Sequence, residues 1–205
     1  KELGSIDLKY EFLSKNHSSM KSHCYDILKY TTSLNKIVTN AKLLSIIAKL
    51  LNTYPDRLLV DFPQYRIDDK TNTRMTAMHQ EGYGQLSLDS INVWIPLQEV
   101  NKKTGTLALI PKSHLHGWLP HIFYDGPNIW GHGIKESLLN VDKILYIKAS
   151  PGSVVIFNSK IIHGSSPNIS GKRIRWTAVS RYSNPLSVPY LNNEKNPIRI
   201  PQEGK

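Results

Sequence analysis

Pro151-Gly152-Ser153-Val154-Val155-Ile156-Phe157-Asn158-Ser159-Lys160-Ile161-Ile162-His163-Gly164-Ser165 is the stretch that decides the fold. Pro151-Gly152 is turn chemistry, and Ser153 to Phe157 is a short apolar run, rich in β-branched residues, of strand length. Similar runs recur on both sides of it, separated by Gly, Pro, Asn and Asp. They are Arg57 to Asp61, Arg74 to Met78, Gln85 to Leu97, Gly105 to Ile110, Lys143 to Lys148 and Arg173 to Tyr182. Many short strands with turn residues between them predict an antiparallel sandwich or barrel.

Ahead of Pro55 the texture is helical. Leu34, Ile37, Val38, Ala41, Leu44, Ile47, Ala48 and Leu51 recur at spacings of three and four, which predicts one helix over 26–52. Tyr54-Pro55 closes it, because the residue before a proline resists the helical conformation. The expected architecture is mainly β with an N-terminal helical layer, residues 1–205 as a single domain. Residues 1–56 form the layer and 57–183 the β core, and the proline-rich tail 184–205 wraps the surface.

A chain of 205 residues with 40% hydrophobic composition buries about 70% of its unfolded surface without staples. Cys24 alone makes no internal bridge, and no apolar stretch approaches the ~20 residues of a membrane span. No charged-then-apolar leader opens the sequence, so a cytoplasmic location is expected. Lys and Arg number 26 against 16 acids, a net charge of +10, which favours anionic partners. The lysines are scattered, with no basic stripe interleaved with aromatics, which argues against nucleic acid. The expected partner is a small molecule, anionic by this balance.

Three pieces carry chemistry. Met78-His79-Gln80-Glu81-Gly82 holds an H-x-E triplet, and in a strand residues i and i+2 share a face, so His79 and Glu81 reach one point. Ile162-His163-Gly164-Ser165 follows the Ser153 strand, and Arg173-Ile174-Arg175 opens the final one. Two imidazoles and one carboxylate make the facial triad of non-haem Fe(II) oxygenases, with positions left open for a co-substrate and O2. An arginine clamps a carboxylate through two parallel hydrogen bonds. Arg173 and Arg175 share one strand face, so periodicity leaves both as candidates. His114-Leu115-His116 is a second pairing of histidines, but it has too few acids nearby for a metal.

His79-Gln80-Glu81, Asn92-Val93-Trp94-Ile95-Pro96-Leu97, Gly105-Thr106-Leu107, Ile110-Pro111-Lys112-Ser113-His114, Pro151-Gly152-Ser153 and His163-Gly164-Ser165, in this order, resemble the phytanoyl-CoA dioxygenase family. The resemblance covers roughly residues 57 to 183 as an ordered set of motifs. It implies a double-stranded β-helix (a cupin-like jelly roll) with His79, Glu81 and His163 binding Fe(II) at one mouth. It also implies 2-oxoglutarate and O2 as co-substrates, Arg175 rather than Arg173 on the distal carboxylate, and Ser165 nearby. The family's usual carboxylate is Asp, where this chain has Glu81; the related clavaminate-synthase-like oxygenases use H-x-E. The implied activity is hydroxylation of an unactivated C–H of a small molecule, with succinate and CO2 as co-products. The competing class is an inactive cupin-like module that binds an anion.

Between Ile110 and Lys143 no periodicity is visible, and loops this long are usually functional. The resemblance puts this stretch near the barrel mouth. Residues 112–142 are therefore expected to form a lid-like insert, with Trp118, Tyr124 and Trp130 as substrate contacts and Lys112, His121 and His132 as polar anchors.

Overall fold

The computed structural model describes residues 6–17, 19–69, 75–82, 90–171 and 173–186. Among these, the strands in chain order begin with β1 (Leu59–Asp68), β2 (Met75–Thr76), β3 (Ser90–Pro96), β4 (Leu107–Leu109) and β5 (His121–Asp125). They continue with β6 (Ile129–Ile134), β7 (Leu145–Tyr146), β8 (Val155–Asn158), β9 (His163–Ser165) and β10 (Arg175–Ser183). One layer is the sheet β1-β10-β3-β8. The other joins β7-β4-β9 to β2-β6-β5 through a bridge between His79 and His163. Trp94, Val100 and Leu107, with Val155, Phe157 and Val179, fill the space between the layers. The mainly β, jelly-roll expectation holds.

Alternation along β10 explains how one strand serves two sides. Ala178 and Tyr182 pack outward into a cluster with Leu34, Val38, Leu43, Ile47 and Leu51 of the helices, while Val179 packs inward. Burying each of those aliphatic side chains is worth about 1.5–3 kcal/mol, so the helical layer is held chiefly by this face. The Tyr182 hydroxyl donates to the Val38 carbonyl at 2.7 Å, and Ser180 donates to it in turn.

The single helix expected over 26–52 is instead several pieces. Helix α1 is Ile6–Asn16 and α2 is Met20–Ile27. After a short 3-10 turn come α3 (Thr32–Val38) and α4 (Ala41–Leu50). Thr31 caps α3 and Asn40 caps α4, its side chain accepting from Lys42 and Leu43. Those local hydrogen bonds compete with helix continuation, so one apolar stripe is laid on the sheet in two segments. α4 ends at Leu50, and Asn52, left-handed at φ 48°, follows it before Tyr54-Pro55 is reached.

β1 runs beyond the expected Arg57–Asp61, with a register shift between Asp61 and Gln64. Pro63 lies inside that shift, where its missing N–H costs no ladder bond, on an edge strand that tolerates it. On this edge the Tyr25 hydroxyl donates to the Ile67 carbonyl at 3.2 Å and accepts from its N–H at 3.1 Å. The tail beyond 186, the segment 83–89 and Arg74 lie outside the described residues.

The stretch without visible periodicity contains the β5–β6 hairpin, turned at Gly126. β6 lies parallel to β2, and Ile134 donates to the Met78 carbonyl at 2.8 Å. The hairpin therefore supports the strand that leads into the H-x-E triplet. A Cβ on Gly133 would stand 2.5 Å from Ala77 Cβ and 3.0 Å from the Met78 carbonyl oxygen. Gly133→Ala should cost on the order of 1–3 kcal/mol, because only backbone can yield there. Urea unfolding beside a Gly126→Ala control checks this; equal midpoints would mean that the hairpin is not packed this closely.

Candidate metal centre and active site

His79 and His163 exchange both backbone hydrogen bonds, each N–H to the other's carbonyl at 2.8 Å. This antiparallel pair sets the two imidazoles side by side, ring centroids 4.3 Å apart. His79 Nδ1 lies 2.7 Å from the Ala77 carbonyl and His163 Nδ1 2.9 Å from the Ile161 carbonyl. A carbonyl only accepts, so both Nδ1 atoms carry the proton and both Nε2 atoms are presented forward. Glu81 Oε2 lies 3.6 Å from His79 Nε2 and 3.5 Å from His163 Nε2. One donor atom from each of the three residues lies within 4.8 Å of the other two, the spread expected of ligands around one ion. Two neutral nitrogens and one anionic oxygen suit a divalent first-row metal with open positions.

Gln80, between the two triplet ligands, is buried at 1% exposure. Its amide nitrogen donates to the Gly117 and Lys160 carbonyls, at 2.7 and 2.8 Å, and its amide oxygen accepts from Leu119 N–H at 2.8 Å. Its own N–H donates to Nε2 of fully buried His121, whose Nδ1 donates to the Leu119 carbonyl. His121 is thus a strut behind the triplet rather than an anchor facing substrate, because both of its nitrogens are engaged. Burial pushes its pKa down to about 4, so it stands neutral.

Sequence reasoning assigned no role to Arg181, whose Nη2 donates to Glu81 Oε1 at 2.5 Å. The signal was available: Arg181 follows Arg175 at even spacing, and so lies on the same strand face. Burial alone would raise the Glu81 carboxyl. The Arg181 charge outweighs it and holds the group well below the usual carboxylate range. Burial, with His79 beside it, pushes His163 down, which keeps its Nε2 lone pair available.

A cavity of about 620 Å³, open mouth included, gathers His79, Glu81, His163, Arg175, Arg181, Ser165, Thr76, Gln64 and Arg66, with Trp94, Leu107 and Phe157 as its apolar wall. Arg175 is 5% exposed and pairs through Nη2 with Asp68, while its Nε and Nη1 are buried without a hydrogen-bond partner among the described residues. Arg173 is exposed, outside this cavity. Ser165 Oγ accepts from Thr76 N–H at 3.1 Å. Trp118, Tyr124 and Trp130 do not line the cavity. Trp130 is half-exposed and stacks edge-on with Phe123, and the Tyr124 hydroxyl donates to the Ile134 carbonyl. Lys112 and His132 are exposed and likewise outside it.

Residues 60–176, more than half of the chain, match the model of the family described as phytanoyl-CoA dioxygenase (PhyH). The 1-deoxypentalenic acid 11-beta-hydroxylase of Streptomyces arenae is 32% identical over 101 residues, which is 47% of this chain and 36% of that protein. The chain thus spans about a third of the curated relatives it matches. Among solved structures, the non-heme monooxygenase ThoJ in its apo form superimposes with a TM-score of 0.66 at 21% identity, over 87% of this chain and 66% of that one. EvdO2 from Micromonospora carbonacea var. aurantiaca, complexed with 2-oxoglutarate, gives 0.64 at 16% identity, over 80% and 68%. At these identities the likeness is one of fold.

His121 generates a pH prediction. Between pH 6.5 and about 4 the unfolded chain holds a proton on this imidazole that the folded chain does not. Stability therefore falls with pH across that window, by about 3 kcal/mol from this group. Urea unfolding at pH 6.5 and 4.5 should show a shallower loss in His121→Asn than in the native protein. Equal losses would remove the buried neutral imidazole from the account.

Proposed function

The chain belongs to the phytanoyl-CoA dioxygenase family, and from that membership we propose that it is an Fe(II)- and 2-oxoglutarate-dependent oxygenase of hydroxylase type acting on a small molecule. One observation carries the reading. The forward-facing Nε2 atoms of His79 and His163, a single oxygen of Glu81, and the two unpartnered donors of buried Arg175 share one cavity. The donor set fits a ferrous ion, and the fork of Arg175 fits the distal carboxylate of 2-oxoglutarate. Bound there, they supply oxidation of an unactivated C–H by O2, with 2-oxoglutarate converted to succinate and CO2.

The chain's own groups do the positioning. His79 and His163 present lone pairs because their Nδ1 atoms are tied to backbone carbonyls. Glu81 offers Oε2 because Arg181 engages Oε1. Asp68 occupies one arm of Arg175 and so orients the remaining two donors. Exposure and distance from the cavity favour Arg175 over Arg173 for this role. Ser165, already accepting from Thr76, has its hydroxyl hydrogen left for a carboxylate oxygen. Trp94, Leu107 and Phe157 keep water from the wall beside the ligands.

Anaerobic titration with Fe(II) and 2-oxoglutarate should develop a visible metal-to-ligand band in the native protein. His79→Ala and His163→Ala should each lose both that band and 2-oxoglutarate turnover while remaining folded by circular dichroism. Full activity in either variant would remove that residue from the centre.

Arg175→Ala should weaken 2-oxoglutarate binding by about 2–4 kcal/mol, the value of a bidentate charge-assisted pair. Arg173→Ala should leave it near the native value. The reverse outcome would transfer the role to Arg173.

A further inference from the structure

Arg175 is the first residue of β10, and there the sheet thins out. The paired register with β3 stops at Thr177 and Pro96, beyond which the Leu97 N–H still donates to the Trp176 carbonyl at 3.1 Å. The Gln98 side chain carries the pairing further. Its amide oxygen accepts from the Trp176 N–H at 3.1 Å, and its amide nitrogen donates to the Ile174 carbonyl. The N–H of Ile174, a residue only 1% exposed, still needs an acceptor.

Asp7 of α1 supplies it. One carboxylate oxygen, Oδ2, accepts from the Ile174 N–H at 3.3 Å, and the other, Oδ1, accepts from the Trp176 indole Nε1–H at 2.9 Å. Ile174 and Trp176 stand on either side of Arg175, so one side chain ties both flanks of the arginine. Tyr10, three residues on from Asp7 and so on the same face of α1, sets its ring edge-on against the Trp176 indole, centroids 5.6 Å apart. On the β1 side Arg175 pairs in register with Asp68, whose carboxylate holds one arm of the guanidinium. Ile67, next to Asp68, belongs to the same buried cluster as Tyr10, Ile174 and Trp176. A guanidinium–carboxylate pair depends on angle as well as distance, and a long side chain aims only as well as its Cα is held.

We propose that Asp7 is a positioning residue for 2-oxoglutarate, acting through Arg175. By fixing Ile174 and Trp176 it holds the main chain at the arginine, and so aims the remaining guanidinium donors at the distal carboxylate. Asp7 itself does not line the cavity. The inference rests on the oxygenase reading and its assignment of Arg175, and deepens it by naming what the arginine needs in order to act.

The test uses the full chain with Fe(II) under anaerobic conditions. It follows the metal-to-ligand band during titration with 2-oxoglutarate and, separately, with 2-oxobutyrate. Both carry the keto-acid end that chelates the metal, and only 2-oxoglutarate has the distal carboxylate. Removing two charge-assisted hydrogen bonds in Asp7→Ala should weaken 2-oxoglutarate by about tenfold, and Asp7→Asn, which keeps one acceptor, by less. The affinity for 2-oxobutyrate should stay native in both. Trp176→Phe, which removes the indole donor and keeps a ring for Tyr10, should repeat the effect, and decides the matter if Asp7→Ala does not fold. Adding Asp7→Asn to Arg175→Ala should cost nothing further, because the two act as one unit. Leu43→Ala, in the apolar cluster beneath the helices, controls for lost stability and should leave both affinities unchanged. Native affinity for 2-oxoglutarate in the folded variants, an equal weakening of 2-oxobutyrate, or the same weakening in Leu43→Ala overturns the proposal. If the native protein forms no band, the oxygenase reading fails and takes this inference with it. If the band forms and only Arg175→Ala weakens 2-oxoglutarate, the role of Asp7 alone fails.

Discussion

The reciprocal pair of backbone hydrogen bonds between His79 and His163 is the constraint on which the rest depends. It joins the two sheets of the second layer, and it brings together two imidazoles far apart in sequence. Because it is a main-chain pairing, it fixes the separation of the ring-bearing Cα atoms before any side chain is chosen. Around it, each supporting contact removes one degree of freedom: Nδ1 on a carbonyl sets ring rotation, and Gln80 with His121 sets the turn between the triplet residues. A centre built this way is arranged by the fold in advance, which is how sites hold reacting groups without reorganising them.

Glu81, at the place where the family resemblance implies Asp, becomes intelligible in the same frame. A buried carboxylate must be matched by charge and hydrogen bonds. Glu81 reaches Arg181 with one oxygen and the imidazoles with the other, and the extra methylene spans the two. The arginine removes one oxygen from contention, so the side chain offers a single ligating atom. Glu81 and Arg181 thus form a unit whose members cannot be exchanged singly.

Much of this was legible from residue types and spacing. The short strands with their turns led to an antiparallel sandwich or barrel, the family resemblance narrowed this to a jelly roll, and the H-x-E triplet and His163 marked the side chains that converge in it. What escaped had local causes. The apolar stripe from Leu34 to Leu51 continues across the break between α3 and α4, and Asn40 reveals that break only if read as a cap. The β5–β6 hairpin hides because its strands are half-exposed and held by backbone pairing to β2, which leaves no alternating pattern. Arg181 was within reach, at even spacing from Arg175 on the same strand face. His121 was not, since nothing in sequence separates a buried strut from an exposed anchor.

The phenol of Tyr25 does for β1 what a neighbouring strand would do, occupying both the donor and the acceptor of Ile67. An open sheet edge is a template on which other chains can add strands, and a run of unpaired main-chain groups is what nucleates such growth. Here the run is interrupted twice, by the shift around Pro63 and by this hydroxyl. No segment between them is long enough to seed stacking. The helical layer thereby acts as a guard against self-association through the sheet, a role separate from the apolar face that it covers.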